Sequence, residues 1–114
     1  MLTLIHNNRC SKSREALALL EQRGVPVNVR HYLQDPLSQD EIAALLQQLG
    51  YSARQLLRTK EDAYTTLGLD DVSLTDSQLI DAMQTEPKLI ERPILTNGSR
   101  AIVGRPPELV LSLL

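Results

Sequence analysis

The sequence has no phenylalanine and no tryptophan, and three tyrosines are its whole aromatic content. Its core must therefore be aliphatic, and few rings are left for stacking unpaired bases. An excess of one charge is missing too: 12 lysines and arginines stand against 14 aspartates and glutamates, a net charge of −2. With no basic tail or run, binding to nucleic acid or to an anionic membrane surface is not expected. No apolar stretch is long enough to span a bilayer. The start, MLTLIHNN, lacks the charged region and long apolar run of a signal peptide, so the expected location is the cytoplasm. Only one cysteine is present, Cys10, and an internal disulfide is excluded. That suits a reducing compartment. One cysteine and two separated histidines, His6 and His31, offer no ligand spacing, so no metal site is expected.

What is present is enough apolar material for a folded chain: 42% of 114 residues. The length fits one domain, taken as residues 1–114. Leu2–Ile5 reads as a strand. A helix follows, capped by Ser11 or Ser13, with Ala16, Leu17, Leu19 and Leu20 on one face and Gly24 as its stop. Val27, Val29 and His31 alternate with Asn28, Arg30 and Tyr32, the period of a second strand. Strand, helix and strand within about 30 residues form a βαβ unit with parallel strands.

Three box-like helix starts come next: Ser38–Glu41, Ser52–Gln55 and Thr75–Gln78. They predict a compact helical insert over about residues 37–86. Beyond it, Ile94–Thr96 and Arg100–Val103 flank Asn97-Gly98, a hairpin signal for a type I′ turn. Pro106 and Pro107 then open a final helix with Leu109, Val110, Leu113 and Leu114 inward. The order β-α-β, insert, β-β-α predicts a four-stranded mixed α/β sheet flanked by helices, the order of the thioredoxin-like fold.

Cys10 falls where the first strand turns into the first helix. Free N–H groups and the helix dipole stabilise an anion there, so the thiol pKa should fall. Arg9, Lys12 and Arg14 would act in the same direction if they approach the sulfur. A buried structural cysteine would have apolar neighbours, and these flanks are polar or charged. Cys10-Ser-Lys-Ser13 has serine where a dithiol motif has its second cysteine. An oxidised or adducted Cys10 must then be released by a thiol from another molecule. Arg14 is only four residues past Cys10, so the Cys-x5-Arg loop of tyrosine phosphatases is absent.

Three arginines stand where elements begin or end: Arg58 after Leu56-Leu57, Arg92 before Pro93, and Arg105 between Gly104 and Pro106. In a thioredoxin-like fold Arg92 should face Cys10, and the Arg92–Pro93 peptide is a candidate cis bond. Guanidinium forks around a thiolate would hold a small multiply charged oxyanion for attack by sulfur. Arg54 and Arg100 read as solvated surface charges. His6 either helps hold the thiolate loop or is a hydrogen-bonded strand end, and His31 reads as structural.

Several of these stretches together resemble the ArsC-like, glutaredoxin-dependent arsenate reductase family. They are His6-Asn7-x-x-Cys10-x-x-Ser13-Arg14, Leu56-Leu57-Arg58, Thr75-Asp76-x-Gln78-Leu79-Ile80-Asp81, Glu91-Arg92-Pro93-Ile94 and Gly104-Arg105-Pro106. The resemblance implies that the Cys10 thiolate attacks arsenate and that Arg58, Arg92 and Arg105 hold the oxyanion. It implies supporting roles for His6 and Ser13. Glutathione, as reducing co-substrate, and a glutaredoxin partner would complete reduction to arsenite, with no bound cofactor. Asn8-Arg9 and Ser11-Lys12 depart from the Pro-Ala and Gly-Thr of well-known members and add charge at the loop. Two other readings follow from the same residues. One is an interaction or redox-regulatory protein resembling Spx, against which Ser13 stands in place of a second cysteine. The other is a monothiol glutathione-linked oxidoreductase with another substrate, its arginines binding glutathione carboxylates.

Overall fold

A computed structural model describes every residue, Met1–Leu114. The chain forms two compact units, Met1–Asp35 with Arg92–Leu114, and Pro36–Glu91.

The first unit holds the sheet. Strands β1 (Leu2–His6), β2 (Val27–His31), β3 (Ile94–Thr96) and β4 (Ala101–Val103) lie in the order β2-β1-β3-β4. β1 runs parallel to β2 and antiparallel to β3, and β4 is antiparallel to β3. This is the mixed sheet of a thioredoxin-like α/β fold. The β1–β2 register sets His6 beside His31. Helix α1 (Ser11–Gln22) packs with a final 3₁₀ helix, Pro107–Leu113. Leu4, Ala16, Leu20, Leu95 and Val110 are buried together, with Leu17, Val27, Ile102 and Leu113 around them. The core is aliphatic, as the composition requires.

Two expectations fail here for reasons of geometry. The hairpin loop is shifted by one residue: the Asn97 N–H donates to the Arg100 carbonyl at 3.0 Å, so Gly98-Ser99 form its tip. Type I′ needs positive φ at both tip residues, and only Gly98 has it, at 93°. Asn97 instead accepts the Ser99 and Arg100 N–H groups on its side-chain oxygen. The final helix is 3₁₀ and not α. Its three-residue period turns Pro107 and Val110 inward and has Leu113 packed against the core, leaving Leu109 41% and Leu114 50% exposed.

Gly104, between β4 and Arg105, is fixed by close approach. A Cβ there would lie 2.8 Å from Val110 Cγ1 and 2.9 Å from Pro93 Cγ. Its N–H donates to the Pro93 carbonyl at 2.8 Å. Gly104→Ala is expected to destabilise by about 1–3 kcal/mol, because a methyl group must push two packed side chains apart. Urea denaturation measures this, and an unchanged midpoint would show that the contact has room to relax.

The second unit is helical: α2 (Gln39–Leu49), α3 (Ala53–Leu56), α4 (Asp62–Thr66), α5 (Asp76–Thr85) and a 3₁₀ turn, Pro87–Leu89. Ser38, Ser52 and Thr75 all form the expected capping boxes, and Gly50 closes α2 at φ 71°. Helix α5 packs against α2, α3 and the 3₁₀ turn. Arg54 is not the solvated charge expected. Its guanidinium donates to the carbonyls of Leu69 and Asp71, both at 2.8 Å, and so ties down the loop after α4. Leu57 and Ile90 form an isolated antiparallel bridge, flanked by Arg58 N–H to Leu89 and Glu91 N–H to Leu56. Arg58 is positioned by that pairing.

Candidate active site

Between β1 and α1, the chain makes a tight turn through Asn7, Asn8 and Arg9. The Arg9 N–H donates to the Asn7 side-chain oxygen at 3.0 Å, and the Cys10 N–H to the Asn7 carbonyl at 3.0 Å. Neither Ser11 nor Ser13 caps α1. The N-cap is Cys10 itself, with extended backbone and no formal side-chain capping bond. An N-cap side chain lies against the first free N–H groups of its helix. At this position a thiol stands where a capping hydroxyl or carboxylate usually does.

Cys10 is buried, with 9% of its surface exposed. Burial alone would push the thiol pKa up. The Ser13 N–H, the hydrogen bond and charge of Arg92, and the Lys12 N–H outweigh that, and the net shift is downward. The thiolate is therefore favoured over an ordinary cysteine. Arg105 lies on the sulfur as well: Nη2 is 3.6 Å from Cys10 Sγ. The same guanidinium donates from Nε to the Arg92 carbonyl at 2.8 Å, which fixes its plane. Both arginines enter from cis X-Pro junctions, Arg92–Pro93 as expected and Arg105–Pro106 in addition.

The charges nearest in sequence are not the ones at the thiol. Arg9, Lys12 and Arg14 are exposed, and Arg14 donates to the Asn8 carbonyl at 3.1 Å. Arg14 thus braces the turn, while Arg92 and Arg105, 82 or more residues away in the chain, supply the charge that acts on Cys10.

Ser13 and His6 form the buried floor of this turn, with 0% and 3% of their surfaces exposed. Ser13 Oγ accepts the Asn7 N–H at 3.1 Å and lies 2.7 Å from His6 Nδ1. The hydroxyl keeps a second lone pair beside the one that Asn7 engages, so either Ser13 or His6 can be the donor in this bond. The His6 pKa is lowered, first by burial and then by the charges of His31 and Arg14. His6 is thus a hydrogen-bonded strand end that also anchors the thiol turn.

Arg58 lies in the helical unit, where Nη1 meets Glu91 Oε1 at 2.6 Å and Nε meets Glu61 Oε2 at 3.5 Å. Sequence spacing carries no signal for the pairing with Glu91. Glu91 stands 33 residues from Arg58, and only the pairing of residues 56–58 with 89–91 makes them neighbours. No group of three or more His, Cys, Asp or Glu side chains could hold a metal ion.

Known proteins agree closely with this arrangement. An arsenate reductase of Vibrio cholerae has a solved structure that superposes with a TM-score of 0.95 at 49% identity, covering 99% of this chain and 97% of that one. An arsenate reductase of Haemophilus influenzae is 45% identical over 112 residues, 97% of each chain. The protein YfgD of Escherichia coli is 50% identical over 111 residues, 96% of this chain and 93% of its own. Residues 5–113 match the ArsC family, and they include the thiol turn and all three arginines at element ends. On this agreement in sequence and fold, the chain belongs to the ArsC family.

Proposed function

We propose that this chain is a thiol-dependent reductase of arsenate, acting through the Cys10 thiolate. The observation that carries the reading is the Arg105 fork, held by the Arg92 carbonyl and aimed at Sγ from 3.6 Å. A thiolate at a helix N-cap beside two guanidinium groups suits attack on a small oxyanion. Relatives named arsenate reductase narrow that oxyanion to arsenate.

The chemistry then follows from electron balance. Cys10 Sγ attacks arsenic; a sulfur–arsenic bond forms and one oxygen, once protonated, leaves as water. Arg92 and Arg105 hold the remaining oxygens and the charge that develops on them. Reduction to arsenite takes two electrons, and a single cysteine cannot supply them by forming an internal disulfide. An external thiolate attacks Sγ, a disulfide forms, and the sulfur–arsenic electron pair stays on arsenic as arsenite departs. Glutathione is the proposed external thiol. A glutaredoxin then attacks the mixed disulfide and releases Cys10 as thiolate. The cycle uses no bound cofactor, and its proposed setting is the reducing cytoplasm.

Arg58 joins the oxyanion-binding set by family resemblance. On that reading, an oxyanion competes with Glu91 and Glu61 for its guanidinium.

Arsenate-dependent NADPH oxidation, coupled through glutathione reductase, tests this directly. Turnover is expected only when glutathione and a glutaredoxin are both present. If turnover persists without glutaredoxin, the external-thiol cycle is wrong in its last step. If folded protein gives none with all components, arsenate is not the substrate, and a different oxyanion or a glutathione-linked role takes its place.

A further inference from the structure

Three basic side chains flank the thiol in sequence, and the proposed chemistry uses none of them. Arg14 has a structural task, bracing the turn through the Asn8 carbonyl at 3.1 Å. Arg9 and Lys12 have no such task. Both are exposed, and their side chains stand outside every hydrogen bond and ion pair of the protein. It is the backbone N–H of Lys12, not its ammonium, that acts on Cys10. Local stability does not account for these cations either. Lys12 lies in the first turn of α1, where the helix dipole opposes a positive charge, and that turn holds no acidic residue. Glu15, three residues on, is exposed and not paired with it. Arg9 is presented on a turn that Asn7 fixes through two hydrogen bonds of 3.0 Å. Chain geometry keeps the Cα atoms of both residues within about 6 Å of that of Cys10.

We propose that Arg9 and Lys12 are specificity-determining residues for the reducing thiol: they draw a thiol that carries carboxylates, as glutathione does, to the Cys10 sulfur in preference to one that carries none. The inference rests on the external-thiol cycle and states what that thiol must carry. Size divides the cations between the two reactants. Arg92 and Arg105 lie at the sulfur and suit a small oxyanion whose centre Sγ attacks. Glutathione has two carboxylates, each several bonds from its own sulfur. When that sulfur meets Sγ, the carboxylates lie further out, on the solvent side, and Arg9 and Lys12 are the cations exposed beside the thiol there. Exposed charges of this kind set encounter rate and choice of partner more than affinity, and salt screens them.

The test caps Cys10 of the full-length protein with 2,2′-dithiodipyridine. An incoming thiolate then attacks Sγ. A new disulfide forms, the old one breaks, and neutral 2-thiopyridone leaves with the electron pair of the old bond and a proton, read by its absorbance. The probes are glutathione and glutathione diethyl ester, the same tripeptide with both carboxylates masked, each rate expressed per thiolate. Wild type is expected to favour glutathione by at least about fivefold at low ionic strength, and the preference should shrink as salt rises. Arg9→Ala combined with Lys12→Ala should remove most of that preference by slowing glutathione while leaving the ester no slower. Arg9→Glu combined with Lys12→Glu should favour the ester. An unchanged preference in the double-alanine variant would overturn the proposal, and so would an equal slowing of both thiols, which would place the effect on the sulfur itself. Discharge by neither thiol in folded wild type would reject the external-thiol cycle at its own step, and the inference would fall with it. The double-alanine variant should melt no lower than wild type, because a cation that the α1 dipole opposes is gone. A marked fall would show that the two side chains serve the fold, against the proposal.

Discussion

Cys10→Ser is expected to abolish arsenate-dependent turnover, with at least about a hundredfold loss in the coupled NADPH assay. The serine hydroxyl is nearly the same shape, so the loss comes from chemistry and not from packing. The Ser13 and Lys12 N–H groups and the Arg92 guanidinium lower the Cys10 pKa, and a thiol starts within reach of neutral pH. An alcohol starts several units higher and stays protonated. Nor could an ester oxygen on arsenic be released by an external thiol as a disulfide, so the two-electron step has no route. The fold supplies its own control. Position 10 is the α1 N-cap, and serine is a strong N-cap residue. The variant should therefore melt no lower than wild type while losing activity. Turnover comparable to wild type would reject Cys10 as the nucleophile. A large drop in melting temperature would show that the thiol side chain is a packing element as well.

The parts of this protein legible in its sequence are those that local chemistry dictates. Three capping boxes form where Ser38, Ser52 and Thr75 announce them, since the hydroxyl accepts the N–H three residues on while the Glu or Gln side chain there accepts the N–H of the cap. The sheet is legible from the alternation of Val27 and Val29 with Asn28 and Arg30, and from the short apolar runs of β1 and β3. The hairpin is legible in the sequence and its turn type is not. Asn97-Gly98 favours a type I′ tip, but the β3–β4 register pairs Thr96 with Ala101 and leaves Gly98-Ser99 at the end. Tertiary pairing sets the register, and the tip adapts to it.

Charge was the least legible property of the site. Sequence adjacency surrounds Cys10 with Arg9, Lys12 and Arg14, yet all three are exposed. Positions 12 and 14 lie on the first turn of α1, which directs long side chains outward from the helix. The charges that act on the sulfur come from Arg92 and Arg105, whose cis X-Pro peptides flank β3 and β4. In the sequence they stand out by their place at element ends and by family resemblance. Spacing alone carries no record of which guanidinium turns inward. Ser13 shows the same limit: a serine near a helix start reads as a cap, but its hydroxyl is committed to His6 and Asn7.

Arg105→Ala should cost about a hundredfold in kcat/KM for arsenate, the effect of removing one preorganised donor from a developing oxyanion. The argument rests on how the side chain is held. Nε is anchored on the Arg92 carbonyl at 2.8 Å, and Nη2 reaches Cys10 Sγ at 3.6 Å. One planar group therefore sets the position of the charge before substrate arrives, so little reorganisation remains for the transition state. Arg105→Lys is expected to restore little, because an ammonium cannot donate in two fixed directions at once. The two variants should also separate binding from attack. Loss of the guanidinium removes a positive neighbour of the sulfur, so the midpoint of Cys10 alkylation should move upward with pH in both its arsenate-free profile and its activity profile. Arg92→Ala should shift that midpoint as well, since the Arg92 side chain acts on the thiol by hydrogen bond and by charge. If Arg105→Ala changes neither kcat/KM nor the alkylation midpoint, the guanidinium seen at the sulfur is a structural tie to Arg92, and the oxyanion is held elsewhere.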